Sequence, residues 1–211
     1  MALIKPHSGK LVNRFKKSKN PSQFKNLKKL VLNDMKVMDV EQIALGGFSP
    51  VEGFFCSDDL QCVMDNMRLV SGDVWTLPLS LDVNQKTADT FSEGDEISLF
   101  DKKGNLFALF NLEEKYKYDK KELVHKIYGT DSLKHAGVKQ TFEQGNILLG
   151  GKITLLERPF SEFRAYELTP AETRSLFMEK KWNKVLGFHT RNVIHRSHEF
   201  IQLQGLEKKR L

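Results

Sequence analysis

At 211 residues, with 40% apolar and 28% charged side chains, the chain has the make-up of a folded protein of one large or two small domains, which excludes a disordered or fibrous one. Its longest apolar runs, such as Leu106–Phe110, reach about a quarter of a membrane span, and its two cysteines, Cys56 and Cys62, make neither a disulfide framework nor a four-ligand zinc site. The net charge of +6 is local: residues 1–36 carry nine Lys and one Arg against Asp34 alone, whereas the remainder holds 23 basic and 26 acidic side chains.

A basic N-terminal segment of this kind is an anion-attracting rim, a solvated face or an RNA-binding arm, and only Phe15 and Phe24 are there to stack on bases. Met1-Ala-Leu-Ile-Lys-Pro lacks the apolar stretch of a secretory signal, so the expected location is cytoplasmic. Asn20-Pro-Ser-Gln23 reads as a helix start, with Phe24, Leu27, Leu30 and Val31 at helical spacing and Lys25, Lys28 and Lys29 facing water. A short helical turn is predicted at Val40–Leu45, stopped by Gly46-Gly47. Ser57 reads as the cap of the next helix, with Asp58 and Asp59 at the positive end of its dipole and Leu60, Val63, Met64 and Met67 as its stripe.

From Val74 to Leu112 the hydrophobic period switches towards two, which predicts strands at Trp75–Val83, Glu96–Phe100 and Leu106–Phe110. Asp101–Gly104 is the turn between the last two, and Pro78 places the first at an edge or a bulge. A helix follows at Lys120–Tyr128, capped by Asp119 with Glu122 behind it and ended by Gly129. Ile147–Leu156 is the last strand of this half, broken by Gly150-Gly151. Together these elements predict an α+β arrangement whose first part, residues 1–158, is a compact β-barrel-like domain with short helices.

Residues 159–211 have a different rhythm. Thr169-Pro-Ala-Glu172 is a capping box with Pro at the first helical position, and the helix it starts runs to about Lys181. Lys184–Phe188 reads as a short buried strand, His189–Asn192 as a polar turn, and Val193–Glu207 as an amphipathic helix, the opening of a parallel α/β domain. A strand-to-helix junction leaves backbone N–H groups unpaired where the helix dipole is positive, so anions settle there. This junction also gathers His189, Thr190, Arg191, Asn192, His195 and His198. Arg191 can grip a tetrahedral oxyanion through two parallel hydrogen bonds, Thr190 and Asn192 add neutral donors, and His195 and His198, three apart, share one helical face.

Two other readings of the histidine pair are a metal site and plain helix capping. Hydrolytic zinc helices space their histidines four apart with a Glu after the first, whereas Glu199 follows the second here and no third ligand is evident, so no metal site is predicted. His7, His125 and His135 stand alone as surface or core residues, His135 being the one that could line a cleft.

Gly187-Phe-His-Thr-Arg-Asn-Val-Ile-His-Arg-Ser-His-Glu-Phe200 resembles the signature of the sulfate adenylyltransferase (ATP sulfurylase) family, Gln-x-Arg-Asn followed by His-x-x-His. Leu3–Arg14 is similar to that family's opening segment, Ala44–Phe54 to its Gly-Gly-Phe-x-Pro-x-x-Gly-Phe segment, and Tyr128–Asp131 with His135–Val138 to a further stretch. The resemblance implies a PUA-like domain followed by the start of a nucleotide-binding α/β domain of the adenylyltransferase class. It further implies that ATP and sulfate are joined into adenosine 5′-phosphosulfate and pyrophosphate, with Mg²⁺ accompanying the nucleotide. On matching positions it gives Arg191 to sulfate and the reacting centre, Thr190 and Asn192 to donors near the phosphates, and His195 and His198 to the ATP phosphates.

The chain departs from the pattern twice. His189 stands where the family has Gln, leaving one imidazole donor in place of an amide and opening a different choice of oxyanion. The family's catalytic domain also continues with a Gly-Arg-Asp-His-type segment, and nothing resembling it lies before Leu211. The expected states are therefore a chain lacking a C-terminal portion or a homo-oligomer. The alternatives are a non-catalytic anion-binding fragment or partner subunit and an RNA-binding PUA-like module.

Overall fold

The computed structural model describes residues 5–18, 20–24 and 26–208; Leu3, Ile4 and Lys25, which enter the sequence reading, lie outside them. Two compact units are present, Pro6–Ala171 and, in the main, Glu172 onwards. The larger unit is organised by one strand, β6 (Ile147–Leu155), with partners on both sides. The strands before it are β1 (Lys28–Val31), β2 (Gly53–Phe54), β3 (Asp82–Val83), β4 (Glu96–Phe100) and β5 (Leu106–Lys117). β5 runs antiparallel along one side of β6, from Ala108 opposite Leu155 to Lys117 opposite Ile147. The other side is shared, β3 pairing at Ile147 and Leu148 and β2 at Gly151 and Lys152. β4 extends the sheet antiparallel to β5, and β1 closes the series parallel to β4. Among the described residues no pairing joins β1 to β2 or β3, so the α+β unit carries an open mixed sheet where a barrel is expected from sequence.

Successive residues of a strand point to opposite faces, and β6 uses this to serve two cores. Leu149, Ile153 and Leu155 pack with Ile97, Leu99 and Phe110 under α1 (Asp34–Leu45), which contributes Val37, Val40 and Ile43. Leu148 instead joins Phe55, Leu60 and Val63 around α2 (Ser57–Asn66), with Leu123 and Val124 of α4 (Lys120–Tyr128) and Val138 of α5 (Ala136–Glu143). A single turn, α3 (Gln85–Ala88), lies between β3 and β4.

β4 and α4 have the bounds that the sequence predicts, and the Asp119 carboxylate caps α4 by accepting from the N–H groups of Lys121 (2.7 Å) and Glu122 (3.2 Å). The predicted helix through Leu27–Val31 is not formed. Only Pro21–Phe24 makes a 3-10 turn, and Lys28–Val31 is β1, with Leu30 buried and Val31 out. Pairing with β4, far along the chain, overrides the helical spacing. The turn predicted at Val40–Leu45 is the end of the longer α1, which Asn33 caps by accepting from the Lys36 N–H at 2.9 Å. Cys56, not Ser57, takes the capping position of α2; Ser57 donates its N–H (2.7 Å) and Oγ–H (2.6 Å) to Glu114 on β5.

Of the strand predicted at Trp75–Val83 only Asp82–Val83 forms, the Leu79 and Leu81 carbonyls accepting single bonds from Phe55 and Leu149. Gly150-Gly151 does not break β6; the irregularity falls on β5 between Leu112 and Glu114. α5 has no sequence signal, since Gly137 in its first turn weakens the helical pattern; it is capped by the His135 ring, whose Nδ1 accepts from the Val138 N–H at 3.4 Å.

After β6, α6 (Pro170–Glu179) opens at the predicted proline and α7 (Arg196–Lys208) three residues later than predicted; neither holds a buried residue. Lys184–Phe188 is not a strand. Among the described residues of the smaller unit no other strand is available to pair with it, and Leu186 packs instead on α7 beside Gly205. No described helix is long and apolar enough to cross a membrane.

Phe110 is fully buried at the centre of the sheet, so Phe110→Ala is expected to cost about 3–5 kcal/mol in a denaturant titration. Burial, reinforced by the charge of Glu114, pushes the Cys56 thiol up to about 11. Thiolates are the reacting species; alkylation of Cys56 is therefore expected to be slow at pH 8 and to accelerate until the pH nears 11, as read by mass spectrometry.

Candidate functional site

The predicted turn after Phe188 leads directly into α7. His195 is the last residue before the helix, and its carbonyl accepts from the N–H groups of His198 (2.9 Å) and Glu199 (3.1 Å). The His195 ring caps the same turn, with Nδ1 accepting from the Ser197 N–H at 3.3 Å. The His198 ring answers in the other direction, its Nδ1 accepting from the His195 N–H at 3.3 Å. The two rings lie 4.0 Å apart, centre to centre, and the edge of one is set against Phe188, 5.8 Å from His198 at 77°. Since both Nδ1 atoms accept, each neutral ring carries its proton on Nε2. That of His198 meets Thr190 Oγ1 at 3.4 Å, and Thr190 Oγ1 also accepts from the Asn192 N–H at 3.1 Å. The Nε2–H of His195 has no partner among the described residues.

Thr190, Asn192, His195 and His198 are thus one hydrogen-bonded cluster, with Thr190 and His198 half-buried. His189 and Arg191 are exposed beside it and not tied into it, and Arg191 has no acidic partner among the described residues. The expectation of bare main-chain amides is corrected, because the turn caps itself with the His195 ring and carbonyl. An anion here competes with an imidazole, not with water alone.

Among the described residues no three His, Cys, Asp or Glu side chains gather as a metal site. Of the solitary histidines, two hold structure together, His7 Nε2 meeting the Val74 carbonyl at 2.9 Å and His135 capping α5 with its ring 4.9 Å from Tyr128. Part of the N-terminal positive charge is committed internally: Lys28 donates to Asp95 at 2.6 Å, and Arg14 donates to the Ile153 carbonyl at 2.8 Å.

One charged cluster has no signal in sequence. Glu41 on α1 accepts from Arg158 (2.7 Å) and Arg164 (3.0 Å), and Glu167 accepts from the same two arginines, Arg158 at 3.1 Å. The arginines lie 117 and 123 residues from Glu41, so only the fold brings the four together. The quartet binds the chain after β6 to α1.

A PUA-like domain model matches residues 4–158, and an ATP-sulfurylase model matches residues 164–211. The sulfate adenylyltransferase of Microcystis aeruginosa is 42% identical over 209 residues, 97% of this chain and 54% of the relative. That of Halothermothrix orenii is 43% identical over 211 residues, with 97% and 55% covered. The chain spans about half the length of the curated relatives it matches. Among solved structures, the hexameric APS kinase from Thiobacillus denitrificans is similar at a TM-score of 0.77 and 22% identity, over 99% of this chain and 38% of that one, a likeness of fold alone. With the PUA-like model matched over most of the chain, the protein belongs to the PUA-like domain family, and it is similar along nearly its whole length to relatives named sulfate adenylyltransferase.

Proposed function

We propose that this chain supplies the anion-holding half of a sulfate adenylyltransferase site, residues 1–158 being the PUA-like domain and 159–211 the start of a parallel α/β adenylyltransferase domain. The reaction joins ATP and sulfate into adenosine 5′-phosphosulfate and pyrophosphate, or runs in reverse. A sulfate oxygen forms a bond to the α-phosphorus while the bond to the bridging oxygen breaks, and its electron pair leaves on pyrophosphate. Sulfate is already a dianion, so no general base is needed. The work left to the protein is to hold two repelling anions in line and to offset the charge that develops.

The observation that carries this reading is an exposed Arg191 without an acidic partner among the described residues, set in a turn where Thr190, Asn192, His195 and His198 hold one another in place. Arg191 grips sulfate by its fork, with His189 adding one N–H in place of an amide. The Nε2–H of His195 donates to the ATP phosphates, together with Thr190, Asn192 and His198. Mg²⁺ arrives on the nucleotide, since phosphate oxygens and water suit it without a cage of protein carboxylates. The functional state is a homo-oligomer or an assembly with the remaining portion of the domain, and its place is the cytoplasm.

Thermal unfolding tests the site directly. Sulfate and pyrophosphate are expected to stabilise the chain, by about 2.7 kcal/mol at a hundredfold excess over Kd. Arg191→Ala should keep the unliganded melting temperature, because the side chain is exposed, and lose the sulfate response. An undiminished response in that variant overturns the assignment. Where ATP is turned over, sulfate-dependent pyrophosphate release should fall about a hundredfold or more.

His195→Asn separates two roles. Asparagine caps helices well, so α7 should persist, while loss of the Nε2–H should weaken pyrophosphate binding about tenfold by calorimetry. Unchanged affinity would confine His195 to capping.

A further inference from the structure

A cleft on the larger unit has no part in the chemistry proposed above. It is about 610 Å³ in volume, the size of a small-molecule site, and the extended chain Val74–Ser80 forms part of its wall. The aromatic groups of the lining are locked in place. Trp75 donates its Nε1–H to the Leu77 carbonyl at 2.6 Å, and Phe48 and Phe55 stand edge-on to its ring at 6.4 Å and 6.2 Å. His7 fixes the chain beside it, Nε2 meeting the Val74 carbonyl at 2.9 Å. Tyr128, also on the lining, lies 4.9 Å from the His135 ring, and Gly137 lets it close in, since a Cβ there would fall 2.8 Å from the Tyr128 Cζ. The half-buried Trp75 ring is therefore oriented before any ligand arrives, which spares a stacking partner the cost of ordering it.

Charge and hydrogen bonding narrow the chemistry of that partner. The two charged side chains of the lining, Lys36 and Asp39, are paired with each other at 3.3 Å, so an anion meets no free cation here. The neutral polar groups are the ones left open. The Thr76 and Ser80 hydroxyls have no partner among the described residues. The N–H groups of Thr76, Leu77, Leu79 and Ser80 find no main-chain acceptor among them either, because only Asp82–Val83 of this stretch joins the sheet. Gln140 Nε2 leans on the Met35 sulfur alone, a weak acceptor, at 3.6 Å. A purely apolar ligand would bury such groups unpaired, at a cost. A flat nitrogen heterocycle avoids it: its face stacks on an aromatic ring while its rim carries donors and acceptors side by side.

We propose that this cleft binds an uncharged, flat nitrogen heterocycle of the nucleobase type, stacked on Trp75 and hydrogen-bonded at its rim by Thr76, Ser80 and the main chain between them. The inference is independent of the chemistry at Arg191.

The test uses the 211-residue chain carrying Trp182→Phe, an exposed position, which leaves Trp75 as the sole tryptophan. Adenosine, guanosine, cytidine and uridine serve as probes, all uncharged and free of phosphate. At least one should quench Trp75 emission saturably. Thr76→Val and Ser80→Ala each remove a hydroxyl that nothing described in the protein holds, and each should weaken that nucleoside about tenfold. Absence of saturable quenching by all four nucleosides overturns the proposal, as does an affinity unchanged in both variants. Toluene binding more tightly than every nucleoside would mark a plain apolar groove and overturns it too. In Arg191→Ala the nucleoside response should persist in full. Its loss there would move the binding to the turn at Arg191 and end this assignment, whereas loss of the sulfate response alone bears only on Arg191.

Discussion

The larger unit depends on backbone packed against backbone where β6 passes between β5 and β2. A Cβ at Gly53 would lie 1.9 Å from the Gly151 carbonyl oxygen, and one at Gly151 would lie 2.0 Å from that of Asn111. Gly151 also has φ +150°, a conformation L side chains rarely adopt. At Gly150 the Cα of Cys56 would be 2.7 Å away. These approaches let β2 and β5 flank the same strand, and they bring the start of α2 down onto the sheet, where Ser57 meets Glu114. Side chains here would separate the strands. Leu148 and Leu149 could then no longer complete the two cores that lie on opposite faces of β6.

The turn between Phe188 and α7 is built on another principle. Neither α6 nor α7 has a buried residue, so hydrophobic burial contributes little to holding the turn. Its geometry comes from short-range polar contacts, with two imidazoles each accepting a backbone N–H and a threonine hydroxyl linking back to one of them. A turn of this kind opens at low cost. The His195 ring caps Ser197 in this turn.

The motifs that mark the family divide into two physical roles. Those after Phe188 supply charge and hydrogen-bond donors. Those in the larger unit supply shape: His7 braces a loop, Phe48 packs on Trp75, and Gly137 makes room for Tyr128. The Glu41–Arg158–Arg164–Glu167 quartet adds a third device, neutral overall, that fastens the chain leaving β6 to α1. Its members sit at 13–36% side-chain exposure, where pairing is screened less than at an open surface.

What the sequence determines by itself is whatever nearest neighbours decide. Asp119 to Gly129 encodes its own helix through a cap, a stripe and a stop, and Glu96–Phe100 its strand through alternation. The candidate chemistry at His189–His198 is legible for the same reason, since six anion-friendly residues fall within ten positions. Leu27, Leu30 and Val31 have helical spacing, and it is the hydrogen bonds offered by β4 that make Lys28–Val31 a strand. Lys184–Phe188 has a strand's composition and, among the described residues, no neighbour to pair with, so it stays irregular. The cleft at Trp75, the double use of β6 and the self-capped His195 are likewise decided in three dimensions, because each requires groups whose separation along the chain or direction in space no local pattern records.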